Sequence, residues 1–120
     1  MVKNFKIEPT IYPYPIFVSY NDQKGLLKLI ANEYDNIEQD SIDSIVNSLK
    51  GSYLAKTLEL GNGTIVLFFK TKDIATIVHE VFHAVYAVFK NVHIPLSNDS
   101  EEAWAYYIGY LTQEILTKFK

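Results

Sequence analysis

Cysteine and arginine are both absent from this sequence of 120 residues, and each absence excludes a class of site. Without cysteine the chain has no disulfides, no thiolate ligands and no cysteine nucleophile, so a metal site must use histidines and carboxylates. All eleven basic residues are lysines, so the guanidinium groups favoured for reading bases and binding phosphates are missing. Together with a net charge of -3, this composition predicts no binding to nucleic acid or to anionic lipid.

Long hydrophobic runs are missing as well. The N-terminal residues, MVKNFKIEPT, contain no apolar segment of signal-peptide length, and no run reaches the roughly 18 residues of a membrane span. We therefore expect a cytoplasmic protein that does not contact membranes. The length and the 48% apolar composition predict a single domain, residues 1–120, with one core and no linker.

The segment 73–91, DIATIVHEVFHAVYAVFKN, contains the main candidate site. Asp73 is a typical N-cap, and apolar residues occupy nearly the whole circumference of the helix that follows, which predicts an interior helix. Within it, His79 and His83 stand at i and i+4, and Glu80 follows the first of them. Both imidazoles then share one helix face, as two nitrogens on one zinc ion require, and the glutamate can activate a metal-bound water.

The expected burial of these groups is a second argument for a metal ion. Burying an imidazole or a carboxylate in an apolar interior without a partner costs free energy on the order of several kcal/mol. A partner shared by all three groups is therefore expected. The alternative is a structural cluster, in which each histidine makes one hydrogen bond and a nearby lysine pairs with the glutamate.

The remaining pattern predicts an α+β fold in which a small antiparallel sheet packs on helices. Strands are predicted at residues 16–20, 53–60 and 64–70, and helices at 23–34, about 40–49 and about 99–117. A hairpin joins the second and third strands because Gly61-Asn62-Gly63 tolerates positive φ. The strand at 64–70 leads directly into the histidine helix, so we expect it to lie beside the site, where an extended peptide can add a further strand.

A third metal ligand is expected from the start of the last helix. If Asn98 is the N-cap, Glu101 closes a capping box with the backbone, and Glu102 is left to approach the two histidines. If Asp99 is the N-cap, Glu102 takes that place instead, so both assignments remain open with Glu102 preferred. Alternatively, both glutamates are surface charges favoured by the positive end of the helix.

The last helix also carries features of an interaction surface. Ala105 and Gly109 are small and one turn apart, which predicts that another helix comes close on that face. The helix is rich in aromatic residues, so a homodimer through it is a possible assembly.

A family resemblance follows from these motifs. HEVFHA at 79–84, then a loop containing proline, then SEEAWAYYIGYL at 100–111 resembles the gluzincin branch of zinc metallopeptidases. It is more closely similar to small HExxH proteins encoded by bacteriophages and prophages. The resemblance covers about the last 60 residues and implies a zincin-like fold, a peptide or protein substrate and, for a phage protein, the host cytoplasm.

The same resemblance implies the role of each site residue. Zinc would be held by His79, His83 and Glu102, and Glu80 would be the general base. Larger gluzincins often carry an aspartate three residues beyond the ligand glutamate, where this chain has Ala105. They also present a histidine or tyrosine from a second subdomain, which is not expected here.

The expected function is zinc-dependent hydrolysis of a peptide bond, with Glu80 passing the proton of the attacking water to the leaving amine. A donor to the developing oxyanion is expected from Tyr106, Tyr107 or His93, and Tyr106 is the best placed on a helical wheel. Alternatively, these tyrosines serve in packing. Two other functions remain open: a binding or regulatory protein stapled by its metal, and an interaction protein without metal.

Overall fold

The computed structural model describes all 120 residues and contains four strands and four helices. In chain order these are β1 (Asn4–Lys6), β2 (Ile16–Tyr20), α1 (Gln23–Glu33), α2 (Gln39–Ser48), β3 (Ala55–Glu59), β4 (Ile65–Phe69), α3 (Ile74–Asn91) and α4 (Glu101–Lys118). The predicted α+β class is confirmed, and the predicted elements lie close to the observed ones; β1 was not predicted. None of the helices combines the length and the apolarity that crossing a membrane requires.

The four strands form one mixed sheet in the order β1, β2, β4, β3. The outer pairs are antiparallel, whereas β2 and β4 run parallel at the centre. The expectation of an antiparallel sheet is therefore wrong for the central pair. The physical reason is the long connection through α1, α2 and β3, which lets the chain re-enter the sheet beside β2 in the same direction.

The edge strands of the sheet are β1 and β3, and of these two β3 lies against α3, whereas β4 is paired on both sides. The expectation that the strand before the histidine helix accepts a further strand is therefore wrong. The backbone N–H of Leu60 donates to Thr64 O at 2.8 Å, across the turn from β4. Since antiparallel pairing alternates, Thr57 and Glu59 turn their backbone N–H and C=O groups toward the open edge.

Helices cover both faces of the sheet, so the two central strands are buried almost throughout. The larger core lies between the sheet and α3 with α4, and the smaller one lies under α1 and α2. Fully buried members of the larger core include Leu67, Phe69, Val81, Val85 and Phe89. This packing fixes the position of α3 relative to β3 and β4.

Local capping follows the sequence at two helices and one turn. Asp22 accepts a hydrogen bond from the N–H of Gly25 at 3.1 Å, and Asp73 accepts one from Thr76 at 3.0 Å. Gly63 closes the predicted hairpin with a φ of 87°, a conformation that glycine adopts without steric penalty. These three features confirm the predicted starts of α1 and α3 and the predicted turn.

The small-residue face of α4 has no neighbour within this chain. Ala105 and Gly109 are both exposed, and a Cβ placed on Gly109 would meet no atom within 4 Å. The expected close approach of another helix is therefore wrong for this chain, because α4 packs on α3 and the sheet through its opposite face.

Candidate metal centre

One face of α3 packs on the sheet and the other is open to solvent. The buried face includes Ile77, Val81 and Val85, as expected for a core helix. The open face nevertheless carries apolar residues, among them Phe82 and Tyr86. The expectation of an interior helix is right for one side only, because α3 belongs to an outer layer and no further layer of this chain covers its outer side.

Both histidines lie on the open face of α3. The side chain of His79 is 69% accessible, whereas that of Glu80 is 9% accessible. The argument that a metal must offset the desolvation of buried imidazoles is therefore wrong for the histidines. It applies to Glu80 alone, and the case for a metal depends on geometry.

The separation of the two imidazoles fits a shared metal ion. Nε2 of His79 lies 3.2 Å from Nε2 of His83, and the ring planes are inclined by 73°. Two Zn–N bonds of about 2.0–2.1 Å at a tetrahedral angle place their nitrogens about 3.3–3.4 Å apart. The separation is therefore compatible with one divalent metal ion held by both imidazoles, and equally with a hydrogen bond between the two rings.

Glu80 has one carboxylate oxygen held and one free. The Thr57 hydroxyl on β3 lies 3.3 Å from Oε1 and 3.2 Å from the Glu80 carbonyl oxygen, and donates to this pair of acceptors. Oε2 makes no hydrogen bond and lies 3.7 Å from Nε2 of His79. The donor atoms of His79, Glu80 and His83 all lie within 4.8 Å of one another, so the structure brings these three predicted residues together.

Glu102 does not join this group. The N-cap of α4 is Ser100, so Glu101 and Glu102 are the first two helical residues and neither closes a capping box. The Ser100 hydroxyl does not cap the helix because it donates to Pro95 O and accepts from the N–H of Ser97. Both glutamates are exposed, and the capping argument for preferring one of them is wrong. The assignment of Glu102 as third ligand stays a prediction.

None of the three expected oxyanion donors lines the cleft beside Glu80 and His83. Tyr106 is 74% exposed on α4, where its hydroxyl makes no hydrogen bond. Tyr107 packs in the core, and burial raises the pKa of its phenol. His93 lies in the loop after α3 with a φ of 59°. The packing interpretation holds for Tyr107, and the role of Tyr106 stays a prediction.

A cleft of about 430 Å³ opens between β3 and α3 beside Glu80 and His83. Tyr86, an exposed residue of this cleft, is a phenol that the sequence analysis did not single out. Its spacing was visible, since a residue three positions after His83 returns to the same helix face. Thr57 could not be found from sequence because it belongs to a different element.

An ion pair joins β3 to α3 farther along the cleft. Nζ of Lys90 lies 2.9 Å from Oε1 of Glu59, and the Asn91 amide donates to Oε2 at 2.9 Å. The hydrogen bond from Lys90, followed by that from Asn91, holds the pKa of Glu59 below its ordinary value. Strand β3 is thereby tied to α3 at Thr57 and again at Glu59.

Comparisons with known proteins assign no family to the chain. No protein-family model, no curated protein and no solved structure matches it. The likeness to gluzincins thus depends on the motif residues of α3 and α4, and the inferences about function depend on the geometry around His79, Glu80 and His83.

Proposed function

We propose that this protein is a zinc-dependent peptidase that binds the metal through His79 and His83 and uses Glu80 as its general base. One arrangement carries the proposal: the imidazole nitrogens are 3.2 Å apart, and Oε2 of Glu80 lies 3.7 Å from Nε2 of His79. When bound, a zinc ion supplies Lewis acidity, which lowers the pKa of a water molecule and polarises a carbonyl group.

Glu80 is suited to proton transfer because its two oxygens are in different situations. The Thr57 hydroxyl restricts rotation of the carboxylate through Oε1, and Oε2 remains free beside the histidines. A general base must approach the proton it removes to about 2.6–3.2 Å, directly or through one water. Glu80 can take a proton from a water beside the imidazole pair and deliver it to the leaving amine.

The open edge of β3 favours a peptide as the substrate. Outward N–H and C=O groups at Thr57 and Glu59 can pair with an extended chain, which would then lie along the cleft and α3. The cleft has little attraction for phosphate esters because its one lysine, Lys90, is paired with Glu59. Backbone pairing would present a peptide bond to the histidines.

Zinc content and hydrolysis, measured on the same preparations, test the proposal. The wild-type chain is expected to bind about one zinc ion and to cleave a mixture of quenched fluorescent peptides. Glu80→Gln is expected to keep the zinc and lose at least about a hundredfold in rate, the usual contribution of a general base. Glu38→Gln, a substitution of an exposed carboxylate on the other face of the sheet, is the matched control.

Two results would overturn the proposal. The first is a wild-type protein that takes up no zinc after incubation with the metal and removal of the excess. The second is hydrolysis that persists at the wild-type rate in Glu80→Gln, since contaminating peptidase activity would behave in that way. The double variant His79→Ala with His83→Ala should lose zinc and activity together.

A second candidate function is a binding protein that keeps its metal for stability. The observation that favours it is the row of exposed apolar side chains on α3, formed by Ile74, Val78, Phe82 and Tyr86. Such a surface is typical of an interaction site, including the interface of a homodimer. Zinc bound by a wild-type protein that hydrolyses no peptide would favour this candidate.

A further inference from the structure

An apolar pocket of about 480 Å³ lies on the α4 side of the two histidines, opposite β3. Its walls come from α3, the loop that follows and α4, and its apolar lining is Phe82, Tyr86, Phe89, Ile94, Leu96 and Trp104. The Trp104 ring packs against Phe89 with centroids 5.1 Å apart, and its N–H donates to Ile94 O at 3.2 Å. The buried side of the pocket is therefore held by packing and by one hydrogen bond.

The pocket adjoins the metal centre. The ring of Phe82, on its rim, has its centroid 6.4 Å from that of His83. Tyr86 and Lys90 line both this pocket and the cleft beside β3. Successive Cα atoms of a peptide are about 3.8 Å apart, so a residue next to a bond held over the histidines can place its side chain in the pocket.

We propose that this pocket binds a large apolar side chain, preferably an aromatic one, of the substrate residue beside the cleaved bond. The inference rests on the proposed function and names its substrate class. Four aromatic rings in the lining favour edge-to-face and offset contacts with another ring. Of the polar groups in the lining, the Trp104 N–H and the Lys90 ammonium already have partners, which leaves the Tyr86 hydroxyl and the His93 imidazole among mostly apolar neighbours.

Binding of a small probe tests the pocket without any hydrolysis. Trp104 is the only tryptophan in the chain, so its fluorescence reports directly on the pocket. With metal-free protein, N-acetyl-phenylalanine amide is expected to give a saturable change in emission. N-acetyl-alanine amide should bind at least about tenfold more weakly, since an apolar pocket discriminates by the apolar surface it covers.

A pair of exposed leucines provides matched variants. Leu96 lines the pocket and is 58% exposed, whereas Leu54 is 64% exposed just before β3. Leu96→Asp places a charge at the pocket and should lower the affinity for the phenylalanine probe by at least about tenfold. Leu54→Asp should leave the binding of the probe unchanged.

Hydrolysis supplies the second readout. Peptides that differ only in having phenylalanine or alanine on either side of the cleaved bond should differ in kcat/KM by at least about tenfold. In Leu96→Asp this ratio should fall toward one, while Leu54→Asp should retain it.

The outcomes separate the pocket from the proposed function. If the wild type binds the probe, Leu96→Asp does not, and neither protein hydrolyses peptides, the result would support the pocket and contradict the proposed peptidase function. Zinc-dependent hydrolysis with equal rates for both peptides, and no response to the probe, would overturn the pocket alone. A dimer that Leu96→Asp dissociates, again without probe binding, would overturn it in favour of a second copy as the occupant.

Discussion

The hydroxyl of Thr57 lies 3.3 Å from Oε1 of Glu80 and joins the edge strand β3 to the candidate general base on α3. The two residues are 23 positions apart in the sequence. The same hydroxyl lies 3.2 Å from the Glu80 carbonyl oxygen. The edge strand β3 therefore also restrains the Glu80 carboxylate, so under the proposed function β3 would support both the peptide and the general base.

Thr57→Val should lower kcat while leaving zinc content unchanged. Valine keeps the shape of threonine but removes the hydroxyl that restrains the Glu80 carboxylate. Loss of a hydrogen bond to a charged group corresponds to a fall of about tenfold or more in rate. The measurement is kcat and KM on a fluorescent peptide, with Thr57→Ser as the variant that keeps the hydroxyl. Equal kcat values for wild type and Thr57→Val would contradict the proposal that Thr57 positions the Glu80 carboxylate.

Added zinc should raise the melting temperature of the wild-type chain and leave that of His83→Ala unchanged. A ligand that binds only the folded state stabilises it by about 2.7 kcal/mol when its concentration is a hundred times Kd. His93→Asn is the control, because it removes the histidine outside the pair and asparagine tolerates the positive φ at that position. A wild-type melting temperature that does not change when zinc is added would contradict the proposed metal site.

Zinc affinity in Glu101→Gln and Glu102→Gln decides the third ligand. If Glu102 coordinates the metal, the start of α4 must shift when the metal binds. Glu102→Gln should then lower the affinity for zinc by at least about tenfold. Glu101→Gln should then bind as tightly as the wild type. Equal affinities in all three proteins would mean that the two histidines bind with water or with a different group.

The bond between Glu59 and Lys90 predicts a stability that depends on pH. Folding lowers the pKa of Glu59, so its stabilising contribution is present above the pKa of an unfolded glutamate and is lost as pH falls through the lower folded pKa. Wild type should therefore exceed Glu59→Gln in urea midpoint at neutral pH, and the difference should shrink in acid. A difference that stays constant down to about pH 3, below the ordinary glutamate pKa, would contradict this linkage.

The sequence alone determined the features that act within one or two turns of chain. His79 and His83 face each other because the spacing i and i+4 in a helix fixes their separation, whatever surrounds it. Asp22 and Asp73 cap their helices because the acceptor and the donor are three residues apart. These interactions need no information from distant segments.

Only the tertiary structure decided which groups meet across elements. Because α3 is apolar around nearly its whole circumference, its sequence does not specify which side faces the sheet. In the folded chain, the side that carries the two histidines is exposed. The parallel pairing of β2 with β4, the Thr57 contact and the exposure of Glu102 all depend on how separate elements pack together. Periodicity in sequence reports one element at a time, whereas these contacts arise from burying the apolar faces of several elements simultaneously.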